Sequence, residues 1–388
     1  MATGPRTSDN FLNGEVSFWV HAEGRPTQRP GLPGSLDADV AIVGAGLTGL
    51  WTAYYLQEAR PDLNIVIIER EFAGFGASGR NGGWMSAKSP GQFRRYARAG
   101  GRDAAVAMER EMIDAVREGV SVAQAEGFGE HVVQDGLIHV ATNNAQWHRL
   151  QATIAALADH GWAPEDYEVL SPAALDARVR VADVRGAYWS PHCARINPAQ
   201  FTFGLAAAVE RRGVTIYEGT TATAILPHRV ETNRGTVRAK YVVQAVEGYT
   251  LSLEGQSRRF LPMNSSMVVT EQLSDAQMAD ISWHGAELMG DVAHNFAYLQ
   301  RTADNRIALG GRGVPYNYAS SFDRSGRTAD AAVEQLGNRL VELFPALAGV
   351  RLEHSWSGVL GVPRDWCAGV NYDAATGIAD AGGMLGTG

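Results

Sequence analysis

Asp39-Val40-Ala41-Ile42-Val43-Gly44-Ala45-Gly46-Leu47-Thr48-Gly49 decides the fold. A short apolar run ends in three glycines spaced G-x-G-x-x-G, and these open a helical stretch, Leu50 to Ala59, that Arg60-Pro61-Asp62 breaks. Ile65-Val66-Ile67-Ile68 then reads as a second buried strand ending at Glu69, 20 positions after the third glycine. Glycines are common at turns, so the triplet alone is weak. Set between a strand and a helix, at this distance from an acidic strand end, it reads as a β-α-β unit for a dinucleotide. Gly44 permits the tight turn, Gly46 lets the backbone approach a pyrophosphate, and Gly49 lets helix and strand pack closely. The helix N-terminus, with Leu47 and Thr48, offers unpaired N–H groups and about half a positive charge to phosphates. Glu69 accepts hydrogen bonds from ribose hydroxyls and would repel a 2′-phosphate, which argues against NADP.

The triplet does not separate FAD from NAD; the next stretch does. Gly74-Phe75-Gly76-Ala77-Ser78-Gly79-Arg80-Asn81-Gly82-Gly83-Trp84 holds five glycines in eleven positions, with a hydroxyl, a guanidinium and an amide. Such a loop presents N–H donors to a diphosphate and a flavin ring. As a bare surface loop it would be oddly long and glycine-dense. A nucleophile elbow around Ser78 fails, because Arg80 stands where G-x-S-x-G needs its last glycine.

A second α/β block runs from about Asn197 to Thr250. It reads as a helix over 201–211, a strand at 214–216, a hairpin over 230–239 and a further buried strand, Tyr241 to Ala245, leading to Glu247-Gly248-Tyr249. Between the blocks, and again over 259–351, longer strands such as 296–301 and 306–311 interleave with helices at 103–125, 145–159 and 328–343. The mosaic predicts an α/β fold: a Rossmann-type nucleotide domain with an interleaved α+β substrate domain on a largely antiparallel sheet. The expected nucleotide segments are 36–90, 196–253 and 353–388, the substrate segments 91–195 and 254–352, and 1–35 is an irregular lead-in.

Hydrophobic residues make up 45% and charged residues 20%, a soluble globular balance. A net charge of -8 gives no attraction to a polyphosphate, so no nucleic-acid partner is expected. Cys193 and Cys367 form no ligand-like spacing, and no two of the ten histidines lie within four residues, so neither a disulfide framework nor a helical metal site is expected. Residues 1–15 contain no apolar signal-like run, and the uncharged stretch Val40 to Leu56 is short for a membrane span. A cytoplasmic, membrane-free protein is expected, with its oligomeric state unread.

Val43 to Gly49, Glu69, the loop at 76–83 and Ala245 to Gly248 resemble the D-amino-acid-oxidase/glycine-oxidase superfamily of FAD enzymes, in its γ-glutamylputrescine-oxidase-like branch. Arg301-Thr302, Gly310-Gly311-Arg312-Gly313, Trp356-Ser357-Gly358 and Pro363-Arg364-Asp365 agree, so the resemblance spans about Ser17 to Gly388. It implies FAD held by Gly44, Gly46, Leu47, Thr48, Gly49, Glu69 and Arg70. It adds Gly76, Ala77, Ser78, Arg80, Asn81, Gly82 and Gly83 from the loop, then Ala245, Gly248, Gly383 and Gly386. It also implies oxidation of a small amine or amino acid. A hydride passes from the carbon next to nitrogen to flavin N5, the imine hydrolyses, and the electrons go on to O2 or another acceptor. Asn81 stands where some relatives carry a histidine that attaches the flavin, and Cys367 lies several residues beyond the place of the cysteine used by others. Non-covalent FAD is therefore implied. The strand Arg306 to Gly310 lacks the oxygen-reactive lysine of sarcosine-oxidase-like relatives, which leaves oxidase and dehydrogenase both open.

The catalytic candidates are Trp84, His294, Tyr298 and Arg312. Trp84 and Met85 read as walls of the site or as core. His294, Tyr298 and Arg301 cluster where a strand should face the flavin, with a purely structural role as the alternative. Arg312 grips a substrate carboxylate through a bidentate pair or braces its glycine-rich loop. Trp356 reads as core, and His192 and Cys193 are discounted as a pair because adjacent side chains seldom face one another. Two rival functions stay open: a tRNA-modification protein carrying a domain of this family, and a flavin-binding subunit or sensor without turnover. In the family the turn at 382–388 runs into a helix, so a sequence ending at Gly388 is expected to be a shortened form of a longer protein.

Overall fold

The computed structural model describes residues 5–311, 316 and 321–384. At its centre the strand Leu36–Val43, the helix Leu47–Ala59 and the strand Ile65–Ile68 follow one another, and the two strands pair in parallel with Ile42 opposite Ile67. Successive side chains leave opposite faces of a strand. Val40 and Ile42 accordingly pack in one core, and Ala41 and Val43 in another. The first core is roofed by helices: Leu50, Ala53 and Tyr54 meet Leu205, Ala206 and Val209 of the helix Pro198–Arg211. Asn197 starts that helix by accepting the Ala199 and Gln200 amides, with Pro198 at its first position.

The nucleotide sheet runs in the order Thr215–Tyr217, Ile65–Ile68, Leu36–Val43, Gly235–Gln244. The hairpin limb and the buried strand expected separately around 230–245 are one strand, Gly235–Gln244, with different neighbours along its length. Its first half pairs antiparallel with Arg229–Thr232 and alternates buried Val237 and Ala239 with exposed Arg238 and Lys240. Its second half, Val242 to Gln244, is buried throughout between Leu36–Val43 and Ile378–Gly382, both parallel to it. The shift from alternating to continuous burial marks where the strand gains cover on both faces.

Among the described residues the second sheet has nine strands, in the order Thr7–Asn13, Leu352–Val362, Leu261–Thr270, Ile307–Gly311, Ala297–Arg301, Leu288–Asp291, Leu137–Ala141, Gly186–Ser190, Glu168–Leu170. Two neighbouring pairs are parallel, the first with the second and the sixth with the seventh; the rest are antiparallel. Leu336 and Leu340 of the helix Asp330–Leu343 share a core with Leu299 and Leu309. A small third sheet, Trp84–Ser86 with Cys193–Arg195 and Val133–Gln134, ties the two halves together.

Three segments lie elsewhere than expected. Thr7–Asn13, inside the lead-in, is an edge strand of the nine-stranded sheet, and the helix Phe18–Glu23 follows it. Leu352–Val362, expected with the third nucleotide segment, is also in that sheet, paired with Leu261–Thr270; the chain rejoins the nucleotide sheet at Gly369–Asp373 and Ile378–Gly382. Trp84–Ser86, expected in the first nucleotide segment, belongs to the third sheet. Among the described residues no helix is long and apolar enough to cross a membrane.

Candidate active site

The carboxyl ends of the parallel strands open on a cleft of about 990 Å³, the usual ligand position in such sheets. The turn at 43–48, the strand end at 68–71, the loop at 74–78 and residues 245–249 line it. Contact, as well as conformation, requires glycine here. A Cβ on Gly44, at φ +106°, would lie 2.5 Å from the Ala245 carbonyl oxygen; one on Gly49 would lie 2.0 Å from that of Gly44. Gly44 and Gly46 therefore line the cleft, while Gly49 seats the helix against the turn.

Helix Leu47–Ala59 starts from Gly46, and its first-turn amides have no intrahelical acceptor. Ser78 Oγ accepts the Leu47 N–H at 2.8 Å. Glu69 Oε2 accepts the Ala45 N–H and Glu69 Oε1 the Glu71 N–H, both at 2.9 Å. The positive end of the helix is left to the cleft. Burial pushes the Glu69 carboxyl up to about 7 against the pull of those two amides. Each of its oxygens has a further lone pair for a ribose hydroxyl.

Thr48, Ala77, Ser78 and Glu247 line this cleft and also a second cavity, of about 1340 Å³. Leu47, Arg80, Asn81 and Gly82 form one side of the second cavity; Trp84, Ser265, Phe296 and Tyr298 contribute another. Tyr298 Oη lies 2.8 Å from Ser265 Oγ, and its ring meets Trp84 edge to face at 6.1 Å. A Cβ on Gly82 would sit 2.7 Å from the Tyr298 ring, so the loop and the substrate sheet touch through glycine.

Ten of the cofactor candidates line the first cleft: Gly44, Gly46, Thr48, Glu69, Arg70, Gly76, Ala77, Ser78, Ala245 and Gly248. Leu47, Arg80, Asn81 and Gly82 line the second cavity. Arg80 has a bracing role: it is buried, and its guanidinium donates to the carbonyls of Phe75, Ser357 and Arg324. Asn81 closes the loop, donating to Ser78 O and accepting the Gly83 N–H, both at 2.8 Å. Gly83 lies behind the cavity, where a Cβ would meet Gln300 Nε2 at 1.9 Å; Gly383 lies under Cys367 and Pro363. Arg312 and Gly386 lie outside the described residues.

Of the catalytic candidates, the structure brings Trp84 and Tyr298 to one cavity and leaves His294 out. His294 is exposed, 3.5 Å from Arg149 of the helix Asn144–Leu157, and lines neither cavity. The cause is the preceding turn: Asp291 Oδ1 accepts the Ala293 and Ala297 amides and folds 292–296 back, so Phe296 reaches the cavity instead. Met85 packs on Gly119 in the core, Arg301 braces the His284 carbonyl and Asn305, and Trp356 is fully buried. His192 turns to Asp166 at 2.7 Å while Cys193 enters an apolar cluster, so the adjacent pair does not meet. Sequence reasoning missed Glu247, Lys88, Ser265, Phe296 and Leu360 as cavity residues. The signal available was thin: Lys88 is one of only two lysines, and Glu247 follows a strand that enters the cleft.

A family described as FAD dependent oxidoreductase (DAO) matches residues 39–384. The chain is similar to gamma-glutamylputrescine oxidoreductase of Escherichia coli (strain K12), 29% identical over 332 residues, which are 84% of this chain and 74% of that one. In fold it resembles glycine oxidase from Geobacillus kaustophilus, with a TM-score of 0.72 at 22% identity over 90% of this chain and 92% of that one. It also resembles L-proline dehydrogenase from P. horikoshii, with a TM-score of 0.71 at 17% identity over 92% and 90%. The glycine cradle, the first-turn amides after Leu47 and the acidic strand end suit a dinucleotide, so the residues present fit the cofactor of that family. The chain belongs to the FAD-dependent oxidoreductase (DAO) family, and FAD is its cofactor.

Proposed function

We propose that the protein oxidises a small amine or amino acid at the carbon next to nitrogen. The observation that carries this reading is the second cavity, which meets the nucleotide cleft at Thr48, Ala77, Ser78 and Glu247 and is walled by Trp84, Phe296 and Tyr298. Bound FAD supplies the two-electron acceptor. In this reading Gly44, Gly46 and the first-turn amides after Leu47 hold the diphosphate, and Glu69 holds the adenosine ribose. The loop at 76–82 and Ala245 to Gly248 support the rest of the cofactor. Trp84 and Tyr298 exclude water and fix the substrate carbon, while the Tyr298 hydroxyl, set by Ser265, orients the nitrogen. The substrate leaves as an imine that water hydrolyses. The similarity to a gamma-glutamylputrescine oxidoreductase and the fold shared with a glycine oxidase support an amine-type substrate.

FAD is held without a covalent bond in this reading, because Asn81 offers an amide whose two ends are engaged within the loop. Acid precipitation should leave yellow flavin in the supernatant. Anaerobic mixing with a panel of amines, amino acids and 2-hydroxy acids tests the reaction. Amines or amino acids should bleach the flavin; reduction by 2-hydroxy acids alone would overturn the proposal.

A further inference from the structure

Glu247 stands where the two cavities meet, and three observations single it out. Its backbone lies at φ +42°, the left-handed region in which a non-glycine residue is strained. Its side chain is wedged against the strand Leu352–Val362, so tightly that a Cβ on Gly361 would lie 2.3 Å from Glu247 Oε2. Its oxygens are unequal: Oε1 accepts the Met384 N–H at 3.2 Å, whereas Oε2 is buried with no hydrogen-bond partner among the described residues. A buried oxygen without a partner is costly, and strained residues gather at ligand sites.

We propose that Glu247 is a positioning residue for FAD, held as the neutral acid, whose Oε2–H donates to an oxygen of the ribityl–diphosphate chain. The residues it shares with both cavities fix that part of the cofactor: Thr48 is in the first turn of the phosphate-facing helix, and Ser78 caps Leu47 in the same turn. An ionised carboxylate there would repel the diphosphate, and no cation lies within ion-pairing distance of Glu247 among the described residues. The strand Leu352–Val362 presents Val359, Leu360 and Gly361, and the terminal turn presents Gly383 and Met384, all uncharged. Glu69, Arg70, Glu71, Tyr249 and Arg324 share the first cleft with it. Arg80, Lys88 and Tyr298 share the second cavity, and Arg80 is committed to three carbonyls. Burial pushes the Glu247 carboxyl up to about 7 against the Met384 hydrogen bond and the pull of the nearby Gly383 and Gly361 amides, neither of which is aligned to bond Oε2, and a neighbouring diphosphate would raise it further.

Dilution of the holoprotein at a series of pH values, with released FAD read by its fluorescence, gives the affinity of each form. Above about pH 7 the free site must take up a proton to bind, so this group weakens wild-type affinity by up to about tenfold per pH unit. Glu69 titrates in the same range, so the readout is the difference between wild type and Glu247→Gln. The glutamine keeps a donor and an acceptor but loses the proton, and it should match wild type at pH 6 and exceed it increasingly toward pH 9. Glu247→Gly removes the side chain and suits the left-handed backbone, which protects folding, and it should bind FAD up to about tenfold more weakly than Glu247→Gln at pH 6. Equal loss in the glutamine and glycine variants, or identical pH profiles for wild type and Glu247→Gln, would overturn the assignment. The inference rests on FAD binding alone, so failure of amines to reduce the flavin leaves it standing.

Discussion

Around the nucleotide cleft the working groups belong to the backbone and come from short stretches, 43–48 and 69–78, with Ala245 and Gly248 closing it. Around the second cavity they are side chains: Trp84 from the third sheet, and Ser265, Tyr298 and Leu360 from three strands of the nine-stranded sheet. Backbone donors do not depend on residue type, so the first region constrains sequence mainly through glycine, spacing, the Ser78 hydroxyl and the carboxyls of Glu69 and Glu247. Side chains are chosen singly, so if the second region receives the substrate, as proposed above, it can change that substrate without disturbing the first. Variants in the two regions should therefore fail in different ways.

The largest effect should come from Gly49→Ala. Its Cβ would lie 2.0 Å from the Gly44 carbonyl oxygen, so the helix cannot seat on the turn. The variant should lose about 3 kcal/mol of stability and purify without flavin, as urea unfolding and flavin content would report. Wild-type flavin content would break the account of the cradle. Glu69→Ala comes next, with FAD binding weakened roughly 10- to 150-fold through loss of a partner worth about 1.5–3 kcal/mol. An unchanged dissociation constant in a fluorescence titration would remove the ribose from Glu69.

On the other side of the comparison, Tyr298→Phe deletes the hydroxyl bonded to Ser265. A neutral hydrogen bond contributes about 0.5–1.5 kcal/mol, so stopped-flow flavin reduction by an amine should slow by roughly 2- to 12-fold with FAD affinity unchanged. A variant that instead shed FAD would place the boundary between the regions wrongly. The smallest effect belongs to His294→Ala, an exposed site beyond the cavity. Reduction rate and unfolding midpoint should both stay within about twofold and ~0.5 kcal/mol of wild type. A large fall in the rate would restore the histidine to the active site.

The same division explains what could be read without coordinates. Val40 to Val43 and Ile65 to Ile68 are buried on both faces, and the glycines and Glu69 sit at spacings that local geometry imposes, so the β-α-β unit was legible. Strand partners were not. Leu352–Val362 mixes apolar residues with Glu353, His354, Ser355 and Ser357, a pattern that favours neither sheet, and only its register with Leu261–Thr270 places it. Gly235–Gln244 read as two pieces because its pattern changes where its neighbours change. In the site, His294 and Tyr298 looked alike in sequence, and the two hydrogen bonds that the Ala293 and Ala297 amides donate to Asp291 decide which one is left outside. Arg80 looked like a cofactor ligand because nothing local shows that the carbonyls of Ser357 and Arg324 reach it. Glu247 is the same case in reverse: it became a cavity residue only when Gly361 and Met384 closed over it.

The electron density of FAD in crystals of the holoprotein tests the account most directly. It should place the adenosine ribose on Glu69, the diphosphate against the helix start after Gly46, and the flavin ring in the cavity between Asn81–Gly82 and Tyr298. A flavin ring lying outside that cavity, with Trp84 and Tyr298 facing no part of it, would contradict the division of the site into a backbone-built nucleotide cleft and a side-chain-built chamber for the substrate.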